Sequence, residues 1–131
     1  MKYNKIVFCL VILILFTFTG CNGGTYSSLT SKDSSNGNHL QCSYTSFNGD
    51  KYYEVSMNSS SKLGLDYNVK IKKGTLKIIV TNADKNVLWQ KDFSQDDSNN
   101  ITINTDSAKK VRITLVGEST SGEYTVNYNK K

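Results

Sequence analysis

The chain has 131 residues, of which 37% are hydrophobic and 21% are charged, so it suits one small domain and not two. It contains no proline, and its composition excludes both a collagen-like chain and a highly charged disordered one. The formal net charge is +5, but the basic residues occur singly or in pairs along the chain. This distribution argues against a nucleic-acid partner and predicts a solvated surface, with a weak attraction to anionic lipid or wall polymer as the alternative.

The N-terminus carries a short apolar run behind two lysines. Lys2 and Lys5 precede 13 uncharged residues, from Ile6 to Phe18. In a helix these residues would span about 20 Å, which is less than the roughly 30 Å hydrocarbon core of a membrane. This pattern is typical of a secretory signal peptide whose lysines stay in the cytoplasm, so we expect residues 1–20 to be one.

The end of this run, Phe18-Thr19-Gly20-Cys21, resembles the lipobox of bacterial lipoproteins. In that family signal peptidase II cuts before the cysteine, whose sulfur carries a diacylglycerol. The resemblance implies cleavage between Gly20 and Cys21, lipidation of Cys21 with palmitate-type acyl chains, and an anchor on the extracytoplasmic face of the cell membrane. The first lipobox position is most often Leu, whereas here it is Phe18. Cleavage by the ordinary signal peptidase, or an uncleaved anchor, is the alternative.

The segment after Cys21 is polar and rich in small residues. Thirteen of the 17 residues in 22–38 are Gly, Ser, Thr or Asn. Such a composition buries too little surface to offset its ordering entropy. We therefore expect residues 21–38 to form a lipidated cysteine and a flexible tether with an end-to-end distance of about 20–25 Å.

From residue 39 onward, apolar and polar residues alternate with a period of two. This alternation, with its β-branched and aromatic residue types, is typical of β-strands. The predicted strands lie near residues 40–47, 51–58, 62–73, 75–82, 87–94, 100–105, 110–117 and 122–129. Turn signals such as Asn48-Gly49-Asp50, Lys73-Gly74 and Ser121-Gly122 separate them. Residues 39–131 are therefore predicted to fold as an all-β, antiparallel β-sandwich of about eight strands, with a small β-barrel as the alternative.

Two stretches of this body carry a second resemblance. The hairpin GTLKIIVTNADKNVLWQKDF and the terminal strand GEYTVNY resemble small secreted or lipid-anchored jelly-roll modules of Gram-positive bacteria. The resemblance covers about residues 74–128 and implies a jelly-roll-like sandwich without implying a ligand. The predicted core consists of Leu65, Val69, Ile71, Leu76, Ile78, Val80, Trp89, Phe93, Ile113, Leu115, Tyr124 and Val126.

No catalytic motif stands out in the sequence. His39 and Cys42 are the one histidine and the one cysteine after Cys21, but a spacing of three places them on opposite faces of a strand. A single histidine also excludes a multi-histidine zinc site built by this chain alone. The sequence therefore predicts a protein that is not an enzyme.

Two polar loops are weak calcium candidates. Asn82, Asp84 and Asn86 place oxygen ligands at alternate positions, and Asp96 and Asp97 are adjacent carboxylates in a second loop. Asn and Asp are also the usual residues of turns, which is the favoured interpretation. We expect no cofactor other than the lipid, and a shared calcium site would require both loops to lie together.

The aromatic residues admit two interpretations. Most fall on the predicted inward faces and suit the core, but Tyr52 is out of phase with its neighbours Tyr53 and Val55. An outward tyrosine on a β-sandwich could contribute to a carbohydrate-binding face.

The function predicted from the sequence is binding without catalysis, by a lipid-anchored sandwich that recognises an unidentified envelope protein or glycan. The alternative is a structural or accessory subunit of an envelope complex. A further alternative is a carbohydrate- or calcium-dependent binding module.

Overall fold

The structure, a computed structural model, describes residues 22–29 and 33–131. The predicted signal peptide 1–20 and Cys21 lie outside the described residues. Within them the chain forms eight strands and no helix. The strands are β1 (Asn22–Gly23), β2 (Tyr26–Leu29), β3 (Asp33–Asn36), β4 (His39–Ser56), β5 (Lys62–Asn82), β6 (Val87–Phe93), β7 (Asp97–Asn104) and β8 (Lys110–Lys130). The described part thus contains no helix that could cross a membrane.

Three long strands, β4, β5 and β8, run through both layers of the fold. Residues 62–69 of β5 pair with β7, whereas its residues 76–81 pair with β6. Strand β8 lies between β5 and β4 along their whole length. The first layer therefore has the strand order β7-β5-β8-β4-β3. The second layer has the order β6-β5-β8-β4, with β1 and β2 paired to the free edge of β4. All ladders are antiparallel, and none in the described part joins β6 or β7 to β1–β3. The predicted β-sandwich is confirmed.

The long strands bend where the sequence predicts turns. Register shifts occur between Tyr44 and Gly49 and between Ile71 and Thr75, so β4 and β5 pass from one layer to the other without a hairpin. Gly74 and Gly122 have φ values of 70° and 151°, and a side chain at either would collide with a backbone carbonyl. The prediction of separate strands at these points is wrong because glycine marks a bulge as readily as a turn.

The core lies between the inner faces of the two layers. Ten of the twelve predicted core residues are buried, while Ile71 and Trp89 are partly buried. Ile71 lies at the bend of β5, and Trp89 lies on the edge strand β6, so neither is enclosed on all sides. Aromatic rings fill much of the space, and the Tyr67 ring packs against Trp89 and Phe93 at centroid distances of 5.8 and 5.3 Å.

The segment expected to be a free tether pairs with the outer edge of β4 in its described residues. Residues 22–23, 26–29 and 33–36 lie opposite 52–53, 46–49 and 39–42. The Tyr26 ring packs edge-on against Phe47 at a centroid distance of 5.8 Å. Composition favoured a flexible linker, but the 18-residue β4 would otherwise present one unpaired edge, and backbone hydrogen bonds to that edge order even a polar segment.

An ion pair holds this segment to the body. The Lys51 ammonium donates to the Asp33 carboxylate and lies over the rings of Tyr26 and Tyr53, 5.5 and 5.4 Å from their centroids. Only 10% of the Lys51 side chain is exposed. Burial alone would lower the pKa of this ammonium, but the hydrogen bonds to Asp33 and Tyr53 outweigh it and raise the pKa above its usual value. Lys51 therefore stays charged at neutral pH and requires an anionic partner.

Replacing Asp33 with Asn should loosen residues 22–36. The substitution leaves the buried Lys51 charge without its carboxylate, so we expect the docking of this segment to weaken by about 1–3 kcal/mol. Hydrogen exchange of the amides in 22–29 and 33–36 measures the effect. Asp92→Asn is the control, since Asp92 pairs with Lys77 on the surface with 72% of its side chain exposed. Equal protection in both variants would contradict the role assigned to Lys51.

The raised pKa of Lys51 also predicts that its contact with Asp33 persists below pH ~10.4 and is lost as the pH rises further.

Candidate functional site

The outer face of the first layer carries a row of amide and carboxylate side chains from four neighbouring strands. Strand register places Asp66 opposite both Asn100 and Asn127, and Asn127 opposite His39. Asn129, the next outward residue of β8 after Asn127, lies opposite Gly64. We call these five side chains, Asp66, Asn100, Asn127, Asn129 and His39, the amide face. Lys131 lies at its border, where its Nζ donates to Thr102 Oγ1 at 3.4 Å and its stem lies beside Gly64.

The amide face contains a shallow depression around Gly64. Gly64, Asp66 and the three asparagines line it, together with Asn38 and Tyr128. The Asn129 amide lies in the space that a Cβ on residue 64 would occupy, so the missing side chain lets this amide lie flat against β5. The depression thus has polar walls and a backbone floor.

Several polar groups of the amide face are available to a ligand. His39 Nδ1 donates to Asn127 Oδ1 at 2.5 Å, which orients the amide and leaves its Nδ2 group as a donor. Within the described part of the chain, no side chain bonds the Asp66 carboxylate or the Asn100 and Asn129 amides. Amides both donate and accept, and a carboxylate accepts on two oxygens, so together they match the hydroxyl groups of a neutral polar ligand.

A second surface lies on the outer face of the second layer, beside the turn between β5 and β6. Glu54, Lys85, Lys110 and Arg112 line a depression there, and we call these four side chains the basic pocket. Arg112 Nη2 donates to Glu54 Oε1 at 2.7 Å, and the guanidinium lies over the Tyr52 ring at 3.9 Å from its centroid. The hydrogen bond from Arg112, with a further contribution from the Lys110 charge, holds the pKa of Glu54 below its ordinary value. Glu54 is therefore ionised at neutral pH.

Tyr52 lies on the outer face, as its phase predicts, while Tyr53 and Val55 are buried. The guanidinium of Arg112 covers one face of its ring, so Tyr52 supports an ion pair and is not an open stacking platform. Most of the other rings belong to the core, and among the described residues the large hydrophobic side chains that are exposed are Tyr26 and Val87. Neither layer therefore presents an exposed strip of aromatic rings.

The first calcium candidate is a turn held by its own side chain. Asn82 Oδ1 accepts from the backbone N–H groups of Asp84 and Asn86 at 3.0 and 2.9 Å. Lys85, between them, has a φ of 64°. These contacts are those of an asparagine-initiated turn, and they occupy the side-chain oxygen that a cation would need.

The second calcium candidate is the pair Asp96 and Asp97, whose carboxylates bind two different partners. Asp96 Oδ1 accepts from the Ile71 N–H at 2.9 Å, and Asp97 pairs with Lys91 at 2.6 Å. Asp97 begins β7 opposite Val69, on the other side of the bend in β5 from Asn82, so the two loops do not lie together. Residues 22–29 and 33–131 contain no group of three or more His, Cys, Asp and Glu side chains that could hold a metal ion.

His39 and Cys42 face opposite sides of β4, as their spacing predicts. Cys42 is buried in the core, whereas His39 joins the amide face. Sequence reasoning missed Asp66, Asn100, Asn127 and Asn129, because outward polar residues are expected on any solvated strand. A usable signal was the choice of asparagine, a residue depleted in strands, at outward positions of β7 and β8.

Comparisons with known proteins show which solved structures share this fold. A scan against protein-family models found no match, and a search of curated proteins found none. Among solved structures, a CBM4 structure aligns with 8% identity and a TM-score of 0.51, covering 86% of this chain and 81% of that one. The N-terminal cellulose-binding domain of a Cellulomonas fimi β-1,4-glucanase C gives the same identity and score, with 86% and 95% covered. The bacteriophage CBA120 tailspike protein 4 aligns at 10% identity and a TM-score of 0.51, over 85% of this chain and 19% of that one. At such identities the likeness shows a common β-sandwich fold.

Proposed function

We propose that this protein is a non-catalytic module that binds a neutral glycan on the amide face. The observation that carries the proposal is the row of Asp66, Asn100 and Asn127 across three neighbouring strands. In the described part of the chain the Asp66 carboxylate and the Asn100 amide have no side-chain partner, and Asn127, whose Oδ1 accepts from His39, keeps its Nδ2 group as a donor. Sugar hydroxyl groups need such paired donors and acceptors. The fold shared with a CBM4 structure and a cellulose-binding domain supports the same class of ligand.

The amide face suits a glycan better than a charged or apolar ligand. Each hydrogen bond from an amide to a neutral hydroxyl contributes only about 0.5–1.5 kcal/mol, so several must act together on one sugar chain. The strands of the first layer lie about 4.8 Å apart, which lets side chains of β7, β5 and β8 contact one ligand side by side. Tyr128, the aromatic residue in the lining of the depression, packs against the core and donates its hydroxyl to the Gly37 carbonyl at 2.9 Å. It is not an open stacking platform, so we expect weak binding that depends on the polar contacts.

A glycan array tests the proposal, using the soluble chain from residue 22. We expect retention of one or more neutral glycans, and Asp66→Ala should weaken binding roughly 10- to 100-fold because a charge-assisted hydrogen bond is worth about 1.5–3 kcal/mol. Gln90→Ala on the outer face of the second layer is the matched control and should bind normally. If the protein binds no glycan on the array and co-purifies with an envelope protein, the structural or accessory alternative would be favoured.

The location that we propose is the extracytoplasmic face of the cell membrane, through lipid on Cys21. The support is the lipobox-like sequence Phe18-Thr19-Gly20-Cys21 after a short apolar run. One acyl chain holds a protein only marginally, whereas two or three hold it stably. Because Asn22 already pairs with Tyr53, this anchor would keep the sandwich near the membrane and not at the end of a long tether.

A further inference from the structure

The basic pocket is an electrostatic feature that glycan binding on the amide face does not use. It combines three cationic side chains, Lys85, Lys110 and Arg112, with one carboxylate, Glu54. Within the described residues, neither Lys85 nor Lys110 forms an ion pair or a side-chain hydrogen bond. The pocket therefore has an excess of positive charge that nothing in the described structure neutralises.

Arg112 is held in place before any ligand arrives. The Tyr52 ring supports one face of its guanidinium at 3.9 Å, and Glu54 binds one nitrogen at 2.7 Å, yet 40% of the side chain remains exposed. A guanidinium has five N–H donors, and the single bond to Glu54 leaves the others for an oxyanion. A planar, oriented fork of donors beside two lysines is suited to phosphate.

The position of the pocket bears on which kind of phosphate ligand could reach it. Arg112 lies opposite Glu54 in the ladder between β8 and β4, and Asn22 of β1 lies opposite the next residue, Tyr53. Cys21 is covalently bonded to Asn22, and successive Cα atoms are only ~3.8 Å apart. Asn22, the residue that follows the proposed lipid attachment, thus lies at the edge of the second layer on the strand that carries Glu54, while the amide face is on the opposite layer.

From this geometry we propose that the basic pocket binds the phosphate of anionic lipid headgroups and turns the second layer towards the membrane. The amide face then points away from the bilayer, where a glycan can reach it. The ligand class is a phosphodiester at a lipid surface. The choice of a lipid phosphate rests on the proposed lipid anchor, but the surface differs from the glycan site, so phosphate binding and glycan binding can fail separately.

Vesicle co-sedimentation tests the proposal, with the soluble chain from residue 22, which contains every described strand and core residue. The probes are vesicles of equal parts phosphatidylglycerol and phosphatidylcholine, and vesicles of phosphatidylcholine alone. We expect binding to the first only, falling as salt is added. Each basic residue near an anionic surface contributes about five-fold in affinity, so the triple variant Lys85→Ala, Lys110→Ala and Arg112→Ala should lose roughly 100-fold.

The control removes the same charge elsewhere. The triple variant Lys70→Ala, Lys72→Ala and Lys73→Ala changes a cluster at the bend, where Lys70 also pairs with a carboxylate, Glu123, at 2.9 Å. It should retain most of the binding, and Asp66→Ala should retain all of it. Equal loss in both triple variants would reduce the effect to net charge and overturn the proposal. Release by inorganic phosphate, but not by chloride of equal ionic strength, would reassign the pocket to free phosphate and also overturn it.

Discussion

Replacing Cys21 with Ser is expected to move the protein from the membrane fraction to the soluble fraction, or to leave an unprocessed precursor. Serine has no thiol to accept the diacylglycerol, and without acyl chains the remaining affinity for the bilayer would rest on side chains alone. Fractionation and gel migration, with metabolic labelling by a palmitate analogue, measure the change. This is the largest expected effect because the anchor is all-or-none.

The control for this prediction is Cys42→Ser. Cys42 is the only other cysteine after the predicted signal peptide, and it is buried on β4. Its replacement should leave the labelling and the fraction unchanged, although it should lower stability. If Cys21→Ser fractionates, migrates and takes up label like the original protein, the lipid anchor is wrong and residues 18–21 are not a lipobox.

Replacing Leu65 with Ala is expected to lower the free energy of unfolding by about 2–5 kcal/mol. Leu65 is fully buried near the start of β5, between β7 and β8 and opposite Ile101 and Tyr128. Removing its side chain leaves a cavity that a sandwich of bent, continuous strands cannot easily close. Chemical denaturation of the soluble chain, followed by tryptophan fluorescence of Trp89, measures the loss.

A matched variant separates burial from a general effect of losing a leucine. Leu88→Ala shortens a leucine on the edge strand β6 that is only partly buried. Leu88→Ala should lower the free energy of unfolding by less than half as much as Leu65→Ala does. Comparable losses at the two positions would contradict the assignment of Leu65 to the centre of the core.

Strand positions and core residues followed from local alternation, which needs no knowledge of partners. Leu63, Leu65, Tyr67 and Val69 share one face in any strand, so their burial could be predicted. The continuity of β4, β5 and β8 through both layers could not, because Gly74 and Gly122 are compatible with either a turn or a bend. Which one forms depends on strand pairing over long distances in the sequence.

The candidate sites were less predictable than the fold. The amide face depends on register, since Asp66, Asn100 and Asn127 come from three strands that are far apart in sequence. Lys51 likewise gives no local sign that it pairs with Asp33, and composition alone suggested that residues 22–38 were free. Tyr52 could be placed on the outer face from its phase, but its contact with Arg112 depends on pairing between β4 and β8.

The central claim, that the amide face binds a neutral glycan, is tested most directly by NMR of the isotope-labelled soluble chain titrated with a glycan retained on the array. The account predicts shifts of the side-chain amide signals of Asn100, Asn127 and Asn129, with the Arg112 guanidinium signal unchanged. Shifts confined to Arg112, Trp89 or the second layer, with the three amides unmoved, would contradict it.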